Sequence, residues 1–152
     1  MPSVFDISIS DEPIPGLDPG EIAVYGTIII GDFREDFYSS RAIWTRQQYQ
    51  QHWNAAISRI VAGEKRSALI VSYLEPRLSH SLEWWPLYRE ADNVYVQNQL
   101  LFFDQLSQPF CADRPWDSVR DRQTISSEGQ KISEWTTNVD SLCEFLKKRG
   151  QV

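Results

Sequence analysis

The densest group of reactive side chains in this sequence is the stretch Asp32-Phe33-Arg34-Glu35-Asp36-Phe37. Three carboxylates this close suit one of three readings: a hard-cation site, a docking site for a basic protein, or simply a solvated acidic corner. A helical turn after Gly31 would make Asp32, Glu35 and Asp36 converge. Their spacing is not that of a calcium loop, which needs alternating carboxylates followed by glycine. The second group is Trp84-Trp85-Pro86-Leu87-Tyr88-Arg89-Glu90-Ala91-Asp92. On a strand, Trp84 and Tyr88 share one face and Trp85 takes the other. Tryptophans so placed either fill a core or anchor an interface.

Other chemistry finds little support. His52 and His80 are far apart in the chain and make no His-x-x-x-His pair. His52 falls at the margin of a helix's apolar face, the setting of a half-buried structural imidazole, and His80 falls in a polar loop. Cys143 lies on an inner helical stripe, where cysteine packs as a small apolar side chain, and Cys111 lies in an irregular stretch. Two cysteines make neither a disulfide framework nor a four-ligand zinc site. Phosphate-cradling glycine loops and the Gly-x-Ser-x-Gly elbow are absent from the sequence. No catalytic residue, cofactor or metal site is assigned, and a binding role leads by elimination.

Charge points the same way. The chain has 152 residues and a formal charge of −6. Residues 1–40 contain eight acids and one base, Arg34, so the whole negative excess sits in the first quarter. Nucleic-acid binding needs clustered Lys and Arg, which this pattern does not offer. An acidic end suits a basic protein partner. No stretch approaches the roughly 18 consecutive apolar residues of a membrane span. The N-terminus lacks the basic start and apolar core of a secretory signal, so a cytoplasmic setting is expected.

The elements that must position these groups are legible in outline. Residues 1–21 read as a loop-rich segment, because residues 11–20 hold three prolines and two glycines. Residues 22–30 are apolar on both faces and read as a central strand. Thr45 and Gln48 form a capping-box pair, and Tyr49, Trp53, Ala56, Ile57 and Ile60 recur at helical steps, predicting a helix over 46–62 closed by Gly63. Residues 67–74 read as a buried strand. Residues 82–89 and 93–103 read as a hairpin, with Pro86 expected at an edge or a bulge. A short hairpin at Glu128-Gly129 should join 123–126 to 131–135. A last helix over about 139–149 should bury Val139, Leu142, Cys143 and Leu146. The expected fold is α+β: one domain over residues 1–152, an antiparallel-leaning sheet with two main helices packed on it.

One resemblance is specific. It is carried by the run from Gly26 to Phe37, by Trp44, Tyr49 and Trp53, by Ser67-Ala68-Leu69-Ile70, by the long run Trp84 to Asp92 continued from Val94 to Phe102, and by Gly129 with Ile132 to Trp135. Together these residues resemble the immunity proteins of contact-dependent growth inhibition systems, over about residues 24–146. The resemblance implies a cytosolic, non-enzymatic protein that binds the C-terminal toxin domain, often a nuclease, of a surface-delivered effector. On that reading Asp32, Glu35 and Asp36 supply electrostatic contacts to the toxin. Trp85, Arg89, Glu90 and Asp92, at the hairpin, are the next candidate contacts. The competing expectation is a small carboxylate- or metal-dependent enzyme, which needs a pocket with convergent polar groups.

Overall fold

The computed structural model describes residues 4–15, 22–74 and 79–150. The first sheet is antiparallel, ordered β1-β2-β3, from β1 (Phe5–Pro15), β2 (Ile22–Ile30) and β3 (Phe33–Ser40). β2 is central, as its two apolar faces require. Gly31, at φ +62°, and Asp32 make a two-residue turn that sets Ile30 opposite Phe33. The second sheet contains β4 (Arg66–Ser72), β5 (Ser81–Glu90), β6 (Asn93–Gln97), β7 (Gln99–Phe102) and β8 (Glu134–Asn138). Its order is β4-β5-β6-β8, and β7 continues the line of β6 alongside β5. Helices α1 (Arg46–Val61) and α2 (Val139–Lys148) complete an α+β fold in which strands dominate.

Helix α1 forms where its sequence signals place it. The Gln48 amide donates to the Thr45 hydroxyl, and the Thr45 amide donates back to the Gln48 side chain. Tyr49, Trp53, Ala56, Ile57 and Ile60 are buried, and Gly63 at φ +112° ends the helix. The helix also completes the free edge of β4. Trp53 Nε1 donates to the Ile70 carbonyl at 2.8 Å, and the Ile70 amide donates to His52 Nε2 at 2.8 Å. Ser39 on β3 donates to the Val71 carbonyl. An otherwise exposed ladder edge is thus satisfied by side chains. Phe37 meets Trp53 edge-on, and Phe5 meets Phe145 of α2 in the same way, tying the first sheet to both helices.

Four expectations change. The N-terminal segment read as loop-rich carries the eleven-residue strand β1; residues 16–21 lie outside the described set. Among the described residues β1 pairs with β2 alone, and an edge strand tolerates Pro13 and Pro15 because one side of its backbone needs no donor. Its pairing shifts register between Ile9 and Pro13. Pro86 lies in β5, an inner strand rather than an edge. It faces the Gln97–Asn98 interruption between β6 and β7, where no ladder amide is required. The 123–135 hairpin shrinks to one bridge, Ile125 with Lys131, because Glu134–Asn138 pairs with β6 instead. In α2, Leu142, Phe145 and Leu146 fill the core, while Val139 and Cys143 are half-buried.

Candidate functional site

The three carboxylates of the acidic stretch do not converge, because the segment is a strand and successive side chains point to opposite faces. Asp32 is exposed in the turn. Asp36 points outward with Arg34 and Tyr38, accepts from the Thr27 hydroxyl at 2.8 Å and lies 3.6 Å from Arg34. Beside it, the exposed Tyr25 and Tyr38 share a 2.9 Å hydrogen bond between hydroxyls. Glu35 points inward with Phe33 and Phe37 and is half-buried. Among the described residues no group of three or more His, Cys, Asp and Glu side chains is arranged to hold a metal. The other acids of the first quarter are partly neutralised: Asp11 pairs with Arg46 at 2.9 Å and Asp6 with Arg149 at 3.2 Å. Asp18 and Glu21 lie outside the described residues.

The aromatic group serves the core. Trp85 is fully buried beside Trp135 and Phe33, and Trp84 is buried on the opposite face. Trp85 was expected at the interface, but an enclosed side chain offers a partner no surface. Both indole N–H groups lack an acceptor among the described residues. Arg89 is also structural: its guanidinium donates to the Ile60 and Val61 carbonyls at the end of α1 and to the Ala91 carbonyl. It brings together the hairpin tip, where Asp92 lies 4.0 Å away and, like Glu90, faces solvent. The tip borders a cavity of about 460 Å³ lined by Lys65, Arg66, Tyr88, Arg122 and Asp121 among others. Another cavity, of about 530 Å³, lies between residues 105–108 and 117–120 and contains one carboxylate, Asp117. Neither holds a histidine or a cysteine.

The sequence reading missed a polar seam between the two sheets. Asn98, at the break between β6 and β7, donates to Glu35 Oε2 at 3.1 Å. Glu83 on β5 is half-buried nearby; burial raises its carboxyl above the usual range and the Glu35 charge raises it further. Leu100 stands opposite Glu83 in the β5–β7 ladder, and Phe102 stands opposite Ser81. One signal was available: Glu83 is the single acid between Leu82 and Arg89 in a strand otherwise rich in aromatic and apolar residues. At the same end of β6, where Glu134 stands opposite Gln97, Arg122 grips Glu134 through Nε and a terminal nitrogen at 2.8 and 2.6 Å and stacks 3.8 Å above the Tyr95 ring. The Arg122 hydrogen bond holds the Glu134 carboxyl below its usual range against the opposing effect of burial, and Gln97 adds a second donor at 2.7 Å.

This arrangement offers surface carboxylates, two exposed tyrosines and an apolar strand edge. It suits recognition of another macromolecule. Known proteins place it. Residues 39–145 match the family described as the CdiI N-terminal domain. The immunity protein CdiI of Enterobacter cloacae subsp. cloacae is 30% identical over 142 residues, covering 93% of this chain and 96% of that protein. A chain of the solved CdiA-CT/CdiI toxin and immunity complex from Enterobacter cloacae superposes with a TM-score of 0.85 at 28% identity, covering 98% of this chain and all of that one. The chain therefore belongs to the CdiI immunity proteins of contact-dependent growth inhibition.

Proposed function

We propose that this protein binds the C-terminal toxin domain of an effector encoded beside it and neutralises that toxin in the cytoplasm, without making or breaking bonds itself. The observation that carries the reading is the near end-to-end likeness to a chain from a solved toxin and immunity complex. The toxin is inferred to be a nuclease. A nuclease presents a basic surface to phosphates, and an acidic inhibitor can cover it while charge attraction speeds encounter. Asp32 in the turn before β3 and Asp36 on β3, with Glu90 and Asp92 at the hairpin tip, are exposed and face solvent; Glu35 contributes from the seam. Arg89 enters only by shaping the tip.

The test is co-expression and titration with the neighbouring effector's C-terminal domain. Protection of the host cell, a stoichiometric complex and loss of nuclease activity in the presence of the chain are expected. A correctly paired toxin that is neither bound nor blocked at micromolar concentration rejects the proposal. Separation of Asp36 from Glu35 across β3 leaves the carboxylate-enzyme alternative without the constellation it required.

A further inference from the structure

Strand β7 carries exposed apolar side chains at an open edge. It hydrogen-bonds to β5 on one side, and β8 pairs with β6 alone, so among the described residues no strand covers its outer edge. Proteins commonly blunt such edges with charge or proline because an open edge invites a further strand. β7 instead presents Leu100 at 56% and Phe102 at 40% exposure. Both project to the face that carries Glu83, since Leu100 stands opposite Glu83 and Phe102 opposite Ser81.

The charges beside this edge are unbalanced. Glu35 receives one hydrogen bond, from the neutral Asn98 amide, and no cation among the described residues pairs with Glu35 or Glu83. Glu83 carries its acid half-buried; burial first, and the Glu35 charge second, push its carboxyl above the usual range, so a charge there is costly in the free protein. Asp6, Asp11 and Asp36, by contrast, already have arginine partners. An apolar strip ending in an uncompensated negative centre complements a long basic side chain, whose methylenes lie on apolar surface while its head meets the carboxylates.

We infer that β7 and the adjoining seam dock a lysine- or arginine-bearing segment of the toxin domain, its stem on Leu100 and Phe102 and its cation between Glu35 and Glu83. This rests on the toxin-binding reading above and adds where the partner engages and through which chemistry. The contact lies away from the exposed acids at the hairpin tip. A cation bound there offsets the cost of holding the Glu83 charge half-buried in an apolar strand.

The affinity of the cognate toxin domain for the full chain tests this, with calorimetry on the native protein and on Glu35→Gln, Glu83→Gln, the double variant and Leu100→Ser. Each glutamine variant should weaken binding by roughly tenfold or more, and the double variant by less than the product of the two, because both acids hold one cation. Thermal unfolding of Glu83→Gln should match or exceed the native protein, which separates lost binding from lost folding. Leu100→Ser, at an exposed position, reports the same contact without entering the core. Tight binding by the native chain together with affinities within about twofold for all four variants overturns the site and leaves toxin binding standing. A native chain that does not bind the toxin overturns both.

Discussion

Gly26 lies beneath the ring of its ladder partner Phe37, so close that a Cβ on Gly26 would stand 2.2 Å from Phe37 Cε2. Phe37 is itself held from behind by Trp53 and has little room to retreat. The glycine is therefore a space requirement inside the middle strand. Gly26→Ala should destabilise the fold by about 1–3 kcal/mol in urea unfolding, and Phe37→Leu in the same background should recover part of that loss. A Gly26→Ala variant as stable as the native protein would show that the ring moves freely.

His52 links stability to pH. Its Nε2 accepts from the Ile70 amide, and burial lowers its pKa to about 3. The unfolded chain takes up this proton near pH 6.5, whereas the folded chain resists it. The contribution is complete above that value and is lost as pH falls from 6.5 toward 3. Between pH 7.5 and 5.5 the loss should approach about 1.4 kcal/mol. Glu83, whose carboxyl is raised, acts in the opposite sense nearer the acid end. The comparison is therefore made against His52→Gln, whose stability should be flat across that window.

The Arg122–Glu134 pair has its own pH signature, set nearer the acid end. The folded-state carboxyl is depressed mainly by the Arg122 hydrogen bond. Its stabilisation is present above the ordinary carboxylate range and disappears as pH drops through the folded value. Glu134→Gln should cost about 1 kcal/mol near neutrality, because a charge-assisted, two-point bond to a partly exposed guanidinium is weakened. The difference from the native protein should shrink as the buffer approaches pH 3, as unfolding curves at the two extremes would show.

The hairpin tip separates folding from recognition. Ala91 adopts φ +54°, a conformation that costs a residue with a Cβ about 1–2 kcal/mol. Ala91→Gly should raise stability by about 0.5–1 kcal/mol after the added chain entropy is offset. Arg89→Ala should lower it by about 1–2 kcal/mol through the exposed α1 carbonyls. Toxin affinity measured well below the melting temperature should be nearly unchanged in Ala91→Gly, which keeps Arg89 in place, and should fall in Arg89→Ala, which frees the tip carrying Glu90 and Asp92.

Parts of this molecule are readable because their signals are local. The Thr45–Gln48 cap and the apolar spacing from Tyr49 to Ile60 place α1 correctly, and two apolar faces place β2 at a sheet centre. β1 escaped because prolines speak against strands in general but not against edges, and edge status depends on partners far away in sequence. β3 escaped for another reason. The alternation of Phe33, Glu35 and Phe37 against Arg34, Asp36 and Tyr38 was present, as was a Gly31-Asp32 hairpin turn, but the acids drew attention to cation chemistry. The Glu35–Glu83 seam was not legible, since it joins residues 48 positions apart through the facing of two sheets. Trp85 shows the converse limit: its type fits a hot spot and a core equally well, and only burial decides.

The gap at Asn98 has a bearing on which strand alignment the chain adopts. Pro86 has no amide to give, and the interruption between β6 and β7 sits where none is asked for. Sliding the returning strand by two positions would set an unbroken stretch of backbone against the proline and strand a carbonyl; sliding by one would turn Glu83's neighbours inside out. The pyrrolidine ring of Pro86 thus acts as an index mark on β5, compatible with the observed alignment and penalising its neighbours.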